Sequence, residues 1–358
     1  MNESLSSQAM NSYRIASIPG DGIGNEVIPA GIEILKALAG KEDFHIVFEH
    51  FDWGSERYKR TGAYIPDGGL DKLKTFDAIF FGAVGAPDVP DHISLWGLRL
   101  PICQGFDQYA NVRPSRVLPG VTSPLANAKD IDWVIIRENS EGEYSGSGGR
   151  VHKGLPEEIA TETSVFTRVG VERIHRFAFE LARKRPRKML TLVTKSNAQR
   201  HGMVLWDEIF YEVAKRYPDV KTDRILVDAM TTRMVLKPAS LDTIVASNLH
   251  ADILSDLAAA LSGSLGIAPT ANLNPERKFP SMFEPIHGSA FDITGKGIAN
   301  PIATFWTAAM MLEHLGEPKA AARLMTAIER TTGEQVFTPD LGGVHDTRAV
   351  TNAVKRAI

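Results

Sequence analysis

Apolar positions change their period repeatedly along the chain. Tyr13-Arg-Ile-Ala-Ser-Ile18 reads as a strand, and the stretch from Glu26 to Leu38 sets Val27, Ile28, Ile32, Leu35 and Leu38 at helical spacing. His45 to Phe51 alternates as a second strand. Ala78-Ile79-Phe80-Phe81 is short, apolar and followed by glycine, which predicts a buried parallel strand. Further strands are predicted at Trp133 to Ile136, Met189 to Val193, Ile225 to Val227 and Thr243 to Val245. Between them lie helical patterns at Val169 to Lys184, Val204 to Tyr217 and Leu249 to Leu261. The last third is mostly helical, at Pro301 to Leu315, Lys319 to Thr332 and Thr347 to Ile358. This alternation predicts an α/β fold with a largely parallel sheet. Ser145-Gly-Ser-Gly-Gly149 turns into an arm, Arg150 to Thr167, with little apolar periodicity, which reads as a surface loop or an intersubunit clasp. No internal repeat is visible.

Composition narrows the class without changing this picture. The 358 residues suffice for two domains or one large α/β unit. A hydrophobic content of 43% and a charged content of 23% are ordinary for a globular protein, and no run of about 18 apolar residues predicts a membrane span. The formal net charge of −3 argues against a nucleic-acid binder, which needs a basic face. Cys103 is the one cysteine, so no intrachain disulfide is expected and a reducing, cytoplasmic setting is. Met1 to Met10 is polar and lacks the charged and apolar regions of a signal peptide, so a frayed tail is expected.

Candidate chemistry begins with Asp252 and Asp256. They lie four residues apart in a helical stretch, alongside Leu249, Ile253 and Leu257, and so share one helix face. Two carboxylates there repel each other. They read either as a solvated acidic face or as part of a divalent-cation site, since Mg²⁺, Mn²⁺ and Ca²⁺ take hard oxygen ligands. Arg99, Arg113 and Arg137 suit bidentate carboxylate recognition, and Arg137 ends a predicted strand, where α/β sheets place ligands. The turn after Arg137 delivers Tyr144; Lys195 and Asp228 end two further predicted strands. Such residues at successive strand ends resemble a site for an acidic substrate and a metal.

Two glycine-rich stretches need separate treatment. Pro19-Gly-Asp-Gly-Ile-Gly-Asn-Glu26 follows a strand and opens a helix, but its glycines are spaced GxGxG rather than GxGxxG, and Glu26 would repel a pyrophosphate at the helix start. A tight strand-to-helix turn is the better expectation, not the ordinary Rossmann fingerprint. Glu284 to Pro301 is rich in small residues and precedes a helix; its backbone N–H groups suit phosphates, and Asp292 suits a ribose diol while repelling a 2′-phosphate.

The chain resembles the β-decarboxylating dehydrogenase family, which includes isopropylmalate, isocitrate, homoisocitrate, D-malate and tartrate dehydrogenases. The matching stretches are PGDGIGNEV at 19–27, YANVRP at 109–114, IIRENSEGEYSG at 135–146, TLVTKSNAQR at 191–200, VDAM at 227–230, SNLHADILSDLAA at 247–259 and EPIHGSAFDITGKGIANPIAT at 284–304. HISLWG at 92–97 and FDQY at 106–109 resemble the tartrate and D-malate branch. The resemblance implies an isopropylmalate dehydrogenase-like two-domain fold with a large mixed, mostly parallel sheet. It divides the chain into a dinucleotide-side domain, 1–108 with 263–358, and a central substrate, metal and dimerisation domain, 109–262.

The resemblance also implies roles. Asp252 and Asp256 match metal ligands, with Asp228 supplied by the partner in a homodimer of shared active sites. Arg113 and Arg137 match arginines that hold substrate carboxylates. Tyr144 and Lys195 match the acid–base pair, Lys195 reaching in from the partner. Asn197 matches a residue near the nicotinamide, and His287, Gly288, Ser289, Ala290, Asp292 and Asn300 match the dinucleotide loop. NAD is implied, together with Mn²⁺ or Mg²⁺ and, as the family allows, K⁺. The implied activity is NAD-dependent oxidation of a small 2-hydroxy dicarboxylic acid, tartrate or D-malate, with metal-assisted β-decarboxylation of some substrates. Isocitrate or 3-isopropylmalate oxidation is the alternative enzyme reading, and a non-catalytic regulatory subunit a remote one. In one place the pattern departs. The family's first substrate arginine lies ten residues before the one matching Arg113, and that position here is Cys103. Arg99, one helical turn earlier, is the expected substitute, although Pro101 and Gly105 are expected to disturb any regular helix there. A missing arginine fits a small substrate better than a tricarboxylate.

Overall fold

The computed structural model describes residues 10–126, 128 and 131–358. The expected frayed tail falls on residues 1–9, outside the described residues, and on Met10, which is exposed. Twelve strands are found among the described residues: β1 (Asn11–Gly20), β2 (Phe44–His50), β3 (Ala78–Ala83), β4 (Ala110–Arg116), β5 (Asp132–Glu138), β6 (Gly142–Val151), β7 (Ile159–Val165), β8 (Met189–Thr194), β9 (Lys221–Leu226), β10 (Thr243–Ala246), β11 (Pro269–Leu273) and β12 (Ser281–Pro285). Ten of them form one sheet in the order β2-β1-β3-β12-β11-β4-β5-β10-β8-β9. The outer pairs are parallel; β12–β11, β11–β4 and β4–β5 at the centre are antiparallel. The sheet is therefore mixed and mostly parallel, as expected.

Helices cover both halves. Gly24–Ala39, Ile302–Leu315, Pro318–Gly333 and Thr347–Ala357 bury Ile34, Leu35, Phe305, Leu312 and Leu324 against the first half. Arg168–Lys184 and Gly202–Ala214 bury Ile174, Phe179, Trp206 and Phe210 against the second. Ile302–Leu315 is buried nearly all round, which is why its sequence is apolar without a polar face.

In four stretches the structure corrects or adds to the sequence pattern. The predicted strand at Ile225 to Val227 stops at Leu226, and Asp228 lies in the first turn of the helix Val227–Leu236. An acidic residue there is favoured by the helix dipole. The arm is neither a plain loop nor irregular: β6 and β7 pair antiparallel as a separate two-stranded sheet. Most of this hairpin is exposed on both faces, so no apolar alternation marks it. Around Pro101 the chain is continuously helical, Asp91–Ser94 and Leu100–Gly105 joined by a π turn at Leu95–Arg99. The π turn lies just before Pro101, where the missing N–H and bulky ring would otherwise strain an α-helical ladder. Finally, of the stripe Leu249, Ile253 and Leu257, only Leu257 packs against the core. The helix Asn248–Ser262 buries Ala251, Leu254, Ala258 and Leu261 instead, leaving Leu249 and Ile253 exposed.

Candidate active site

The helix Asn248–Ser262 is pinned at its start by side chains from two strands. Glu143 on β6 accepts from the Leu249 backbone N–H at 3.2 Å, an acidic group at a helix N-terminus. Arg137 at the end of β5 donates through Nε to Asn248 Oδ1 at 2.9 Å. These contacts aim Asp252 at the ends of β4 and β5. Arg113 Nη1 reaches Asp252 Oδ1 at 3.2 Å and Ser255 Oγ at 2.6 Å, Arg137 Nη1 bonds the same carboxylate, and the Tyr144 hydroxyl donates to Asp252 Oδ2 at 3.1 Å. Arg137 also lies over the Tyr144 ring, 5.1 Å from its centre.

Electrostatics follow from this crowding. Burial opposes the Asp252 charge, but Arg137, Arg113 and Arg99 outweigh it and hold its carboxyl below the usual range. Asp256, one turn on, is more open and forms no ion pair among the described residues. Protein crowding pushes its carboxyl up, Arg113 pulls it down, and the neighbouring Asp252 charge pushes it up again. Burial lowers the Arg113 guanidinium to about 10, with Arg137 adding repulsion. Burial, then the Asp252 charge, raises the Tyr144 phenol, which therefore keeps its proton at neutral pH.

A cavity of about 260 Å³ opens between these groups, lined by Arg99, Arg113, Arg137, Tyr144, Asp252, Asp256, Thr270, Glu284 and the start of the 285–288 loop among others. Arg99 thus reaches the cavity. It donates through Nε to Glu284 Oε1 at 2.8 Å and through Nη2 to Asn272 Oδ1 at 3.2 Å. Burial opposes its charge, but Glu284 outweighs this and raises the pKa. Cys103, one turn further, is buried, and its thiol is pushed up to about 11 chiefly by that burial. Asn111 and Asn139 both donate to Asn272 Oδ1, at 2.6 and 3.1 Å, completing a buried polar floor. Glu284, Asn272, Asn111, Asn139 and Ser255 carried no role in the sequence. Asn111, Asn139, Ser255 and Glu284 lie within the stretches that carry the family resemblance, which was the signal available; Asn272 had none.

Lys195 and Asp228 pair with each other at 2.6 Å but do not line this cavity. Asp228 is largely exposed, at 64% of its side chain. Asn197 is exposed in the turn after β8. Among the described residues no three His, Cys, Asp or Glu side chains assemble a metal site within one chain. Asp252 and Asp256 alone fit a divalent cation: two hard carboxylates one turn apart on a cavity wall, each charge working against the other.

The 284–301 loop begins at this cavity. His287 Nε2 and Ser289 Oγ are buried without hydrogen-bond partners among the described residues, as suits a loop that takes a polar ligand. Ala290 has a left-handed backbone, φ 43°, and Asp292 is exposed. Asn300 Nδ2 donates to Asp340 Oδ2 at 3.0 Å. The first glycine-rich turn buttresses this loop. Ile23 N–H donates to Ser289 O at 2.8 Å, and Gly295 N–H to Glu26 Oε1 at 2.6 Å. A Cβ at Gly22 would stand 2.0 Å from Ser289 O, and one at Gly20 1.9 Å from Ala83 O. These glycines serve close chain-to-chain packing.

The profile of the isocitrate/isopropylmalate dehydrogenase family matches residues 14–357. The chain belongs to this family. It is 72% identical over 352 residues to a probable tartrate dehydrogenase/decarboxylase of Agrobacterium vitis, covering 98% of this chain and 97% of that protein. It is 51% identical over 358 residues to D-malate dehydrogenase (decarboxylating) of Escherichia coli, covering 98% and 99%. The crystal structure of isocitrate dehydrogenase from Methylococcus capsulatus superposes with a TM-score of 0.88 at 36% identity, covering 96% of this chain and 99% of that one. The family in general uses a nicotinamide dinucleotide and a divalent metal.

Proposed function

We propose that this enzyme oxidises a small 2-hydroxy dicarboxylic acid, tartrate or D-malate, with NAD and Mn²⁺ or Mg²⁺, and decarboxylates some of the products. The charge balance of the cavity carries the reading. Three guanidiniums, Arg99, Arg113 and Arg137, face three carboxylates, Asp252, Asp256 and Glu284. One divalent cation leaves two positive charges among these groups, enough to hold both carboxylates of a dicarboxylate. The cavity volume of about 260 Å³ accommodates an acid of this class. The names of the tartrate and D-malate relatives agree.

Arg113 and Arg137 hold the substrate's carboxylates, and Arg99 closes the distal end. Asp252 and Asp256 would hold the metal, which would supply Lewis acidity, and the 284–301 loop would hold the dinucleotide, which would supply a hydride acceptor. Lys195, held by Asp228, takes the proton from the 2-hydroxyl. Tyr144, kept protonated by its surroundings, returns a proton to C3 after CO₂ departs. NAD rather than NADP is supported by the exposed Asp292, which would repel a 2′-phosphate. His287, Gly288, Ser289, Ala290 and Asn300 form the rest of the dinucleotide loop, and Asn197 lies near the nicotinamide. K⁺ is proposed as an accessory cation.

A homodimer with shared sites is the proposed assembly. Leu249 and Ile253 leave an apolar face beside Asp252, and Val235 and Leu236 are exposed at the end of the adjoining helix. Lys195 and Asp228, away from their own chain's cavity, then complete the partner's. The sheet supports the proposed domains: β1, β2, β3, β11 and β12 come from 1–108 and 263–358, the other five from 109–262, and they meet at β11–β4. No described helix is long and apolar enough to cross a membrane, and the one cysteine is unpaired; a cytoplasmic location is proposed. The test is a product assay with NAD⁺ and Mn²⁺, measuring NADH and CO₂ together for D-malate, L-tartrate, meso-tartrate, isocitrate and isopropylmalate. Turnover of the first three is expected; a strong preference for isocitrate or isopropylmalate refutes the assignment.

A further inference from the structure

Two polar groups at the cavity have no part in the mechanism above. Thr270 on β11 is fully buried and borders the cavity, yet its hydroxyl has no hydrogen-bond partner among the described residues. Glu284 stands directly opposite on β12, so both side chains leave the sheet on the same face. Only one oxygen of Glu284 is engaged. Oε1 accepts from Arg99 at 2.8 Å and from Asn272 at 2.8 Å, while Oε2 accepts no hydrogen bond among the described residues. Thr191, Thr243 and Thr304 are also buried without partners, but they do not border this cavity.

We propose that Thr270 and Glu284, with Arg99 holding the carboxylate in place, form a subsite that reads a hydroxyl group on substrate C3. The pairing is chemically specific. A free carboxylate oxygen needs a donor, and a threonine hydroxyl can donate or accept. An alcohol supplies both: its O–H donates to Glu284 Oε2 and its oxygen accepts from Thr270 Oγ1. An anionic substituent would meet the Glu284 charge, and an alkyl group would leave both protein groups dry and unpaired, at roughly 1–3 kcal/mol each. A site that bonds a hydroxyl favours substrates that carry it over analogues that lack it. The inference rests on the proposed function, because it places a hydroxy dicarboxylate in the cavity. A ribose hydroxyl of the dinucleotide offers the same chemistry, and the test separates the two sources.

The experiment compares kcat/KM for tartrate, which carries a C3 hydroxyl, with that for D-malate, which does not, in the full-length enzyme with NAD⁺ and Mn²⁺. Thr270→Val keeps the shape and removes the hydroxyl; Thr270→Ser keeps the hydroxyl; Glu284→Gln tests the acceptor. The tartrate-to-D-malate ratio is expected to fall about tenfold in Thr270→Val and Glu284→Gln and to recover in Thr270→Ser. Equal losses with both acids would place the bonded hydroxyl on the dinucleotide and overturn the proposal, as would an unchanged ratio in a Thr270→Val protein of normal melting temperature. A wild-type enzyme inert toward both acids but active on another substrate refutes the functional reading itself, and the subsite with it.

Discussion

Asp252 and His175 show how differently burial acts on single side chains. Asp252 stays charged because three arginines surround it. His175 is fully buried against Trp206 and Phe210, neither ring nitrogen has a partner among the described residues, and burial alone drops its pKa from 6.5 to about 3. The sign is fixed by the base being neutral when folded. Above pH 6.5 neither state binds the proton. Below it the unfolded chain is protonated and the folded chain is not, so stability falls as pH drops from 6.5 toward 3. By pH 5 the loss is on the order of 2 kcal/mol. His175→Leu is expected to remove that part of the acid dependence, measured as urea midpoints at pH 7 and pH 5. An unchanged difference between the two midpoints would show that other groups carry it.

At the scale of elements, the strand-to-helix turn at 20–24 is the tightest joint. Gly20 has a positive φ of 70°, and a Cβ there would stand 1.9 Å from Ala83 O. Gly20→Ala is therefore expected to lower stability by roughly 1–3 kcal/mol, read from thermal melting, and to weaken dinucleotide binding, because this turn buttresses the 284–301 loop. A variant with wild-type melting would refute the packing role. The sequence showed this turn, since glycine spacing alone separates it from a phosphate-binding fingerprint. It hid β4, β11 and β12. Their segments carry Pro114, Pro269 and Asn272, and their buried side chains include Asn111, Arg113, Thr270 and Glu284, so neither propensity nor alternation marks them. Strands that bury polar side chains do so here because the site needs them.

At the scale of the whole molecule, the proposed shared sites make a prediction no single chain can satisfy. Asp252→Asn and Lys195→Met are each expected to abolish metal-dependent NADH formation. Mixed under conditions that exchange subunits, they should recover activity. In the mixed dimer one site loses both residues and the other keeps both, so the expected limit is about a quarter of wild-type activity, half the dimers being mixed with one intact site each. No recovery despite demonstrated exchange would place Asp252 and Lys195 in the same site of one chain.

The sequence by itself determined the α/β class, the family, the helix that carries Asp252 and Asp256 and the residue types of the cavity, because those depend on local spacing and on motifs read in order. Only the tertiary structure decided how they meet. It turned the Leu249–Ile253 stripe outward, because Ala251, Leu254 and Ala258 fill the core side of the same helix. It brought Arg99 over Cys103 to Glu284, a contact spanning 185 positions that no local pattern encodes. It left Thr270 and one oxygen of Glu284 without partners at the cavity, a property of packing in three dimensions.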